Sequence, residues 1–498
     1  MKLGIDFGTT HTVVALVDRG NYPVAGFDGV EAIPSLVAAR HEDGALRFGA
    51  EAAAVRHQPR WTSLRSFKRL LDEARLGTEV AMGPRAVPLL DVLVGFFSQL
   101  HRDLVAGSNA GLTVDEPLEA AISVPASAST AQRFLTLEAF RRAGFDVKAL
   151  LNEPSAAGLE YAHRYRSTLT ARREHVVVYD LGGGTFDASL VKMSGRDHEV
   201  VATRGAKRLG GDDFDEAILA LVVEKARLEK MTDPQRALLL DECARQKESV
   251  GPNTKRFLVD LSPVGGGALA IPVEEVYLAC EPLVQQTIDA VAPLLEEPGA
   301  GVSWDEVAGL YVVGGGGAFP LVARRLKERF GERRIRRSPY PFAATAIGLA
   351  AFLDEESGWT LTERLTRHFG VFREAEQGGT VSFDLIFPEG TELPKPGEPP
   401  LVATRRYGAV HNIGHLRYLE CSRVTGGRPD GDVTPWEEIL FPYDPSLRDR
   451  SDLAGLPVIR NEHGPEVEET YTCGPEGAVT VTVVLPGDGF RRTYSLRR

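Results

Sequence analysis

Cysteine is scarce in this chain and unpatterned. Cys243, Cys280, Cys421 and Cys473 are scattered through 498 residues with no C-x-x-C spacing. That argues against a disulfide framework or a thiolate zinc site and fits a reducing cytoplasm. No apolar run approaches the roughly 20 residues of a membrane-spanning helix, and Met1 and Lys2 lead straight into a strand-like segment with no signal-peptide core. An excess of positive charge is missing too. With 57 basic and 69 acidic residues the net charge is −12, so neither a nucleic-acid surface nor a membrane partner is expected, and Arg333 to Arg337 reads as a solvated face. The length suggests roughly three packing units of about 150 residues.

What is present is a pattern that occurs twice: G-I-D-F-G-T-T-H-T-V-V-A-L-V from Gly4 to Val17, and V-V-Y-D-L-G-G-G-T-F-D-A-S-L-V from Val177 to Val191. Each copy reads as strand, aspartate, glycine turn with threonine, and second strand. Gly8, Gly182, Gly183 and Gly184 remove side-chain bulk and permit positive φ, so that backbone N–H groups can face phosphate oxygens. The hydroxyls of Thr9, Thr10 and Thr185 add donors. A carboxylate beside a polyphosphate requires an intervening cation, so Asp6, Asp180 and Asp187 imply Mg²⁺ with several waters in its shell. Two such turns suggest two half-clefts closing on one polyphosphate.

Further along, Val92 to Val105 and Gln132 to Ala143 read as helices, with Gly144 as the stop of the second, and Ala120 to Pro125 as a buried strand. Helices are expected through much of Asp212 to Val250. A strand at Leu310 to Val313 runs into Gly314 to Gly317 and a helix at Leu321 to Phe330, another place for close backbone approach to a nucleotide.

These residues resemble the actin-type ATPase fold, and specifically the DnaK-type, seventy-kilodalton heat-shock chaperone family. The resemblance rests on Asp6 to Thr10, the basic segment Thr62 to Leu71, Ala121 to Pro125 with Gln132 and Arg133, N-E-P-S-A-A at Asn152 to Ala157, D-L-G-G-G-T-F-D at Asp180 to Asp187, L-G-G-D-D-F-D at Leu209 to Asp215 and V-G-G at Val313 to Gly315. It implies an α/β, actin-like (ribonuclease H-like) two-lobed ATPase domain at 1–355, a linker at 356–370, and an all-β sandwich substrate-binding domain at 371–498. The implied cofactors are ATP or ADP with Mg²⁺, and K⁺ as a further candidate. Catalytic roles fall on Lys68, Glu153, Asp180 and Thr185, and metal roles on Asp6, Asp180 and Asp187. The nucleotide would be held by Gly8, Thr9, Thr10, Gly182, Gly183, Gly184, Gly210, Gly211, Asp212, Lys247, Gly314, Gly315, Gly316 and Phe342. Pro125 and Arg133 would relay nucleotide state to the second domain.

Departures from the family cluster on the adenosine side. Its Glu-Lys-Arg-Ser helix maps to Cys243 through Gly251, where only Lys247 is retained; the other positions are Ala244, Glu248 and Gly251. The loop S-T-R becomes Gly316, Gly317 and Ala318, and a family aspartate becomes Phe342, which reads equally as a stacking platform or a core aromatic. Lost polar contacts of about 1 kcal/mol each would weaken the nucleoside grip by orders of magnitude.

Beyond Phe352 the composition changes. Proline and glycine punctuate Phe387 to Pro400 and Pro429 to Pro457, while Val381 to Phe387, Leu416 to Glu420, Val479 to Leu485 and Phe490 to Leu496 read as strands of an antiparallel sandwich. Leu353 to Arg364 lacks the apolar run of a family linker, and the sequence ends just after the last strand, so no helical lid is expected. Three readings follow: a lidless ATP-hydrolysing chaperone binding unfolded or extended polypeptide, a weak or inactive nucleotide-sensing adaptor for one specific protein partner, or another actin-fold phosphotransferase such as a sugar kinase. A J-protein and a nucleotide exchange factor are partners the sequence leaves open.

Overall fold

In the computed structural model, residues 1–75, 77–113, 116–296, 302–375, 380–436, 439–450, 452–461 and 463–494 are described. The chain divides into two compact units, one of Met1–Asp72, Gly77–Ser127 and Thr136–Leu361, the other of Glu73–Leu76, Ala128–Leu135 and Thr362–Arg498.

The first unit contains two sheets built on one plan. In the first sheet, Lys2–Phe7 pairs antiparallel with His11–Leu16, which pairs with Ile33–Pro34; on the other side Glu119–Val124 and Asp146–Asn152 add in parallel. In the second, His175–Leu181 pairs antiparallel with Thr185–Ser194, then Asp197–Lys207 follows, while Val307–Val313 and Ile335–Arg337 add in parallel. Both glycine hairpins therefore occupy the same station in their sheets. Strands covered on both faces need continuous apolar sequence, and Val307–Val313 is buried at every position.

Two largely buried helices, Glu153–Tyr165 and Ala344–Leu353, pack on each other. Their close approach depends on absent side chains. A Cβ on Gly348 would stand 1.7 Å from the Ala156 carbonyl oxygen, and one on Gly4 would stand 2.1 Å from that of Ala346.

The helices expected at Val92 to Val105, Gln132 to Ala143 and Leu321 to Phe330 form at Leu89–Gly107, Thr130–Arg142 and Pro320–Phe330. Gly144 adopts φ +94°, the left-handed stop a glycine permits. The stretch between Ala344–Leu353 and the second unit is more structured than its composition suggests. Thr360–Thr362 forms the outer strand of the second sheet beside Asp197–Lys207. Thr360 N donates to Arg196 O at 3.0 Å, and Leu361 packs with Leu151, Leu159, Val200 and Leu349.

The second unit holds two antiparallel sheets. One orders Thr380–Phe387, His368–Ala375, Ile413–Thr425 and Arg428–Pro435, with Ile439–Pro442 also on Ile413–Thr425; the other orders Leu401–Gly408, Glu466–Cys473, Val479–Leu485 and Phe490–Tyr494. Phe369, Tyr418, Phe441, Val467, Tyr471, Val481 and Val483 fill its core. The punctuated region beginning at Pro429 differs from the sequence expectation. Among the described residues, Arg428–Pro435 is a strand with a neighbour on only one side, where proline and glycine cost least. The expected strand Phe490 to Leu496 is seen as Phe490–Tyr494, its last two residues lying outside the described ones.

Candidate functional site

A cavity of about 600 Å³ opens in the first unit, and both hairpin turns line it. The turns touch. A Cβ on Gly183 would lie 2.4 Å from Thr10 Cγ2, and one on Gly184 2.5 Å from Thr9 Cγ2. Neither these glycines nor Gly8 and Gly182 have positive φ; of the glycines assigned to the nucleotide, only Gly314 does, at +79°. The expectation of left-handed turns is thus corrected: glycine is required here for close approach. Behind the second turn, Gly210 is seated so that a Cβ would meet Gly183 O at 2.6 Å. Gly211 N and Asp212 N donate to Gly182 O and Gly183 O at 3.0 and 2.7 Å, docking the helix Gly211–Ala226 on the hairpin.

Lys68 lies where the two hairpins meet. It sits on a 3-10 turn, Phe67–Asp72, that follows the strand Trp61–Arg65 through Ser66, whose φ is 55°. Its ammonium is buried, donates to Phe7 O, and pairs with Glu153 Oε1 at 2.6 Å. Burial alone would lower its pKa, but Glu153 and Asp6 outweigh burial and the net shift is upward, so the charge is held. Glu153 is the first residue of the helix Glu153–Tyr165, which aims it at the lysine.

Around this pair stand three more carboxylates, Asp180 and Asp187 buried and Asp6 half-buried. Asp6, held by Ser123 Oγ at 2.9 Å, is raised to about 7 by burial and then by Glu153. Asp187 is pushed up to about 8 by the same two causes, and its Oδ1 accepts no hydrogen bond from the described residues. Asp180 is raised well above the carboxylate range, again by burial first. Asp180 and Asp187 face each other directly across the second hairpin, an arrangement of like charges that costs stability. Among the described residues, no three acidic, histidine or cysteine side chains are close enough to hold a metal by themselves. This donor set suits Mg²⁺, which keeps several waters and takes its remaining ligands from a carboxylate or two and from substrate phosphates.

The stretch of cavity lining against the helix Gly211–Ala226 has a different chemistry. Arg65 reaches Asp212 Oδ1 at 2.7 Å, Asp241 Oδ1 at 3.2 Å and Asp215 Oδ2 at 3.5 Å. Lys247 pairs with Asp215 at 2.7 Å and donates to Gly211 O at 2.7 Å, so its ammonium is engaged by the protein itself. Ala244, Glu248, Gly314, Gly315, Gly316 and Phe342 also line this cavity. Phe342 is 46% exposed, which excludes the core-aromatic reading.

Of the residues singled out from the sequence, Lys68, Glu153, Asp6, Asp180, Gly8, Thr9, Thr10, Gly182, Gly183, Thr185, Gly211, Asp212 and Lys247 line one cavity with the glycine loop and Phe342. Gly184, Gly210 and Asp187 lie immediately behind its wall. Pro125 is buried in the first unit, after the strand Glu119–Val124, whereas Arg133 belongs to the second, where it is buried and donates to Glu476 O at 3.3 Å. Sequence reasoning missed Arg65, Ser66 and Arg69. Ser66 Oγ donates to Asp212 Oδ2 at 2.6 Å, and Arg69 Nη2 donates to Gly184 O at 2.9 Å and Asp213 Oδ2 at 2.6 Å. The basic run S-F-K-R around Lys68 was the available signal.

Two sheets of one plan, with aspartate hairpins closing on a single cavity, define an actin-like nucleotide-binding unit, here joined to a β-sandwich. A family profile described as Hsp70 protein matches residues 105–358. Chaperone protein HscA homologs from Pseudomonas fluorescens and Pseudomonas putida are 32% and 34% identical over 72% of this chain and 58% of their own length. One from Polynucleobacter necessarius is 31% identical over all of this chain and 78% of its own. The chain belongs to the Hsp70 family. It spans 58% of the length of the two Pseudomonas relatives.

Proposed function

We propose that this chain is an ATP-binding and ATP-hydrolysing chaperone of the Hsp70 type, whose β-sandwich binds extended polypeptide segments. The observation that carries the reading is the buried Lys68–Glu153 pair at the junction of the two hairpins. Phosphoryl transfer needs positioning and charge stabilisation rather than a covalent nucleophile. Lys68 supplies a fixed positive charge for the departing phosphoryl oxygens, and Glu153 orients that ammonium and accepts a hydrogen bond from the attacking water. Thr9, Thr10 and Thr185 offer hydroxyl donors at the turns. Bound Mg²⁺ supplies charge neutralisation on the phosphates, and Asp6, Asp180 and Asp187 would hold its waters. Nucleotide state would bias polypeptide affinity as a coupling free energy, with Pro125 and Arg133 as the residues reporting it.

A second reading, a nucleotide-sensing adaptor without turnover, is favoured by one observation: the lysine inherited from the nucleoside helix is already paired inside the protein. Single-turnover ATP hydrolysis by the wild type and Lys68→Ala separates the two. A clear loss in the variant supports the ATPase; equal rates at background support the adaptor. Titration of fluorescent extended apolar peptides, with and without Mg-ATP, tests the sandwich, and no saturable binding in either state would remove the polypeptide half of the proposal.

A further inference from the structure

The part of the cavity lining that the family resemblance assigns to the nucleoside carries an unusual combination: an aromatic ring, and polar groups that are mostly paired with one another. Phe342 is seated rather than loose. Gly315 makes room for its ring, since a Cβ there would stand 2.3 Å from Phe342 Cε1, and Gly314 N donates to Pro341 O at 2.9 Å, fixing the loop that bears it. With one side of the ring on Gly315, the exposed remainder faces the cavity, where the other aromatic side chains on the lining are His11 and His57. Reading a base edge requires polar groups free to point at it. Here Arg65 and Lys247 are tied to aspartates, and Arg245 is tied through both Nε and Nη2 to Glu242. Ala244, Leu238, Pro263 and the glycine loop offer no side-chain hydrogen bond. Glu248 is exposed on the lining; a carboxylate accepts from any sugar hydroxyl or base amino group and so discriminates little.

We infer that Phe342 is the base platform of this site and that, resting on the nucleotide reading above, the cavity accepts nucleoside triphosphates with little choice among purine bases. Stacking suits this role because every base has a π-face. The experiment is calorimetry on the full chain with the Mg²⁺ complexes of ATP, GTP and inorganic tripolyphosphate. ATP and GTP are expected to bind within about threefold of each other and more tightly than tripolyphosphate. Phe342→Ala should weaken both nucleotides alike, by about tenfold, and leave tripolyphosphate unchanged. Phe342→Trp should retain affinity, its fluorescence quenched by the nucleotides and not by tripolyphosphate. An ATP preference above about thirtyfold, or a Phe342→Ala effect equal on tripolyphosphate and nucleotides, overturns the inference while leaving the ATPase proposal intact. Failure of all three ligands to bind wild type overturns the nucleotide reading itself.

Discussion

Two groups of charges on the cavity lining are handled in opposite ways. Asp6, Asp180, Asp187 and Glu153 crowd around one lysine, and three of the four are raised by burial and mutual repulsion. Against the helix Gly211–Ala226, Arg65 and Lys247 are matched to Asp212, Asp215 and Asp241 within hydrogen-bonding range. The first group has carboxylates in excess of its one cation; the second is paired within itself. Crowded like charges cost stability, whereas the paired group offsets its own charge.

The sharpest way to break this comparison is at Lys68. Lys68→Ala should lower single-turnover hydrolysis by about 10²–10³-fold, because it removes the fixed cation of a carboxylate cluster; an unchanged rate would mean that the cluster has no catalytic purpose. His198 offers an independent scale for an uncompensated buried group. It is 1% exposed, neither ring nitrogen has a hydrogen-bond partner among the described residues, and burial lowers its pKa to about 4. Folding therefore excludes a proton. Stability should be whole above pH 6.5 and fall as the pH drops towards 4, by about 3 kcal/mol in all. Urea unfolding at stepped pH measures this, and His198→Phe should flatten that part of the profile.

A smaller effect is expected where the hairpins meet. Gly184→Val should cost about 1–3 kcal/mol through overpacking against Thr9 and weaken tripolyphosphate binding; a variant with wild-type affinity would show that the turns have room to part. Arg65→Met should cost about 1 kcal/mol after allowance for its partial exposure, seen as a lower denaturant midpoint, with hydrolysis changed less than in Lys68→Ala. At the bottom of the scale, Cys243 should resist alkylation at pH 8 in the native protein, since it is fully buried and its thiol is pushed up to about 12. Mass spectrometry after iodoacetamide treatment reads the outcome.

Legibility in the sequence followed the range of the interactions. Hairpins, glycine loop and helix stops were readable because turn chemistry is local: Asp180 and Thr185 lie five positions apart and belong to one turn. Arg65 was missed because its partners lie 147, 150 and 176 residues away, and no spacing rule reaches that far. Strand Glu466–Cys473 was missed for another reason. Its inward face carries Glu469, fully buried and satisfied by Arg373, Tyr407 and Tyr471, so the alternation of apolar residues is broken at a core position. Lys68 was recognised by resemblance, yet its burial could not be read from a run of basic residues.

The contact of Gly183 and Gly184 with Thr10 and Thr9 also constrains how this chain can change. A duplicated motif ordinarily lets one copy drift while the other preserves the task. Here each copy is the steric environment of its twin, so a gain of bulk in one turn is tolerated only with a loss in the other. Gly183→Ala and Thr10→Gly, each harmful alone, should rescue one another in a double-mutant cycle, and the two halves of the motif must therefore evolve as a single locus.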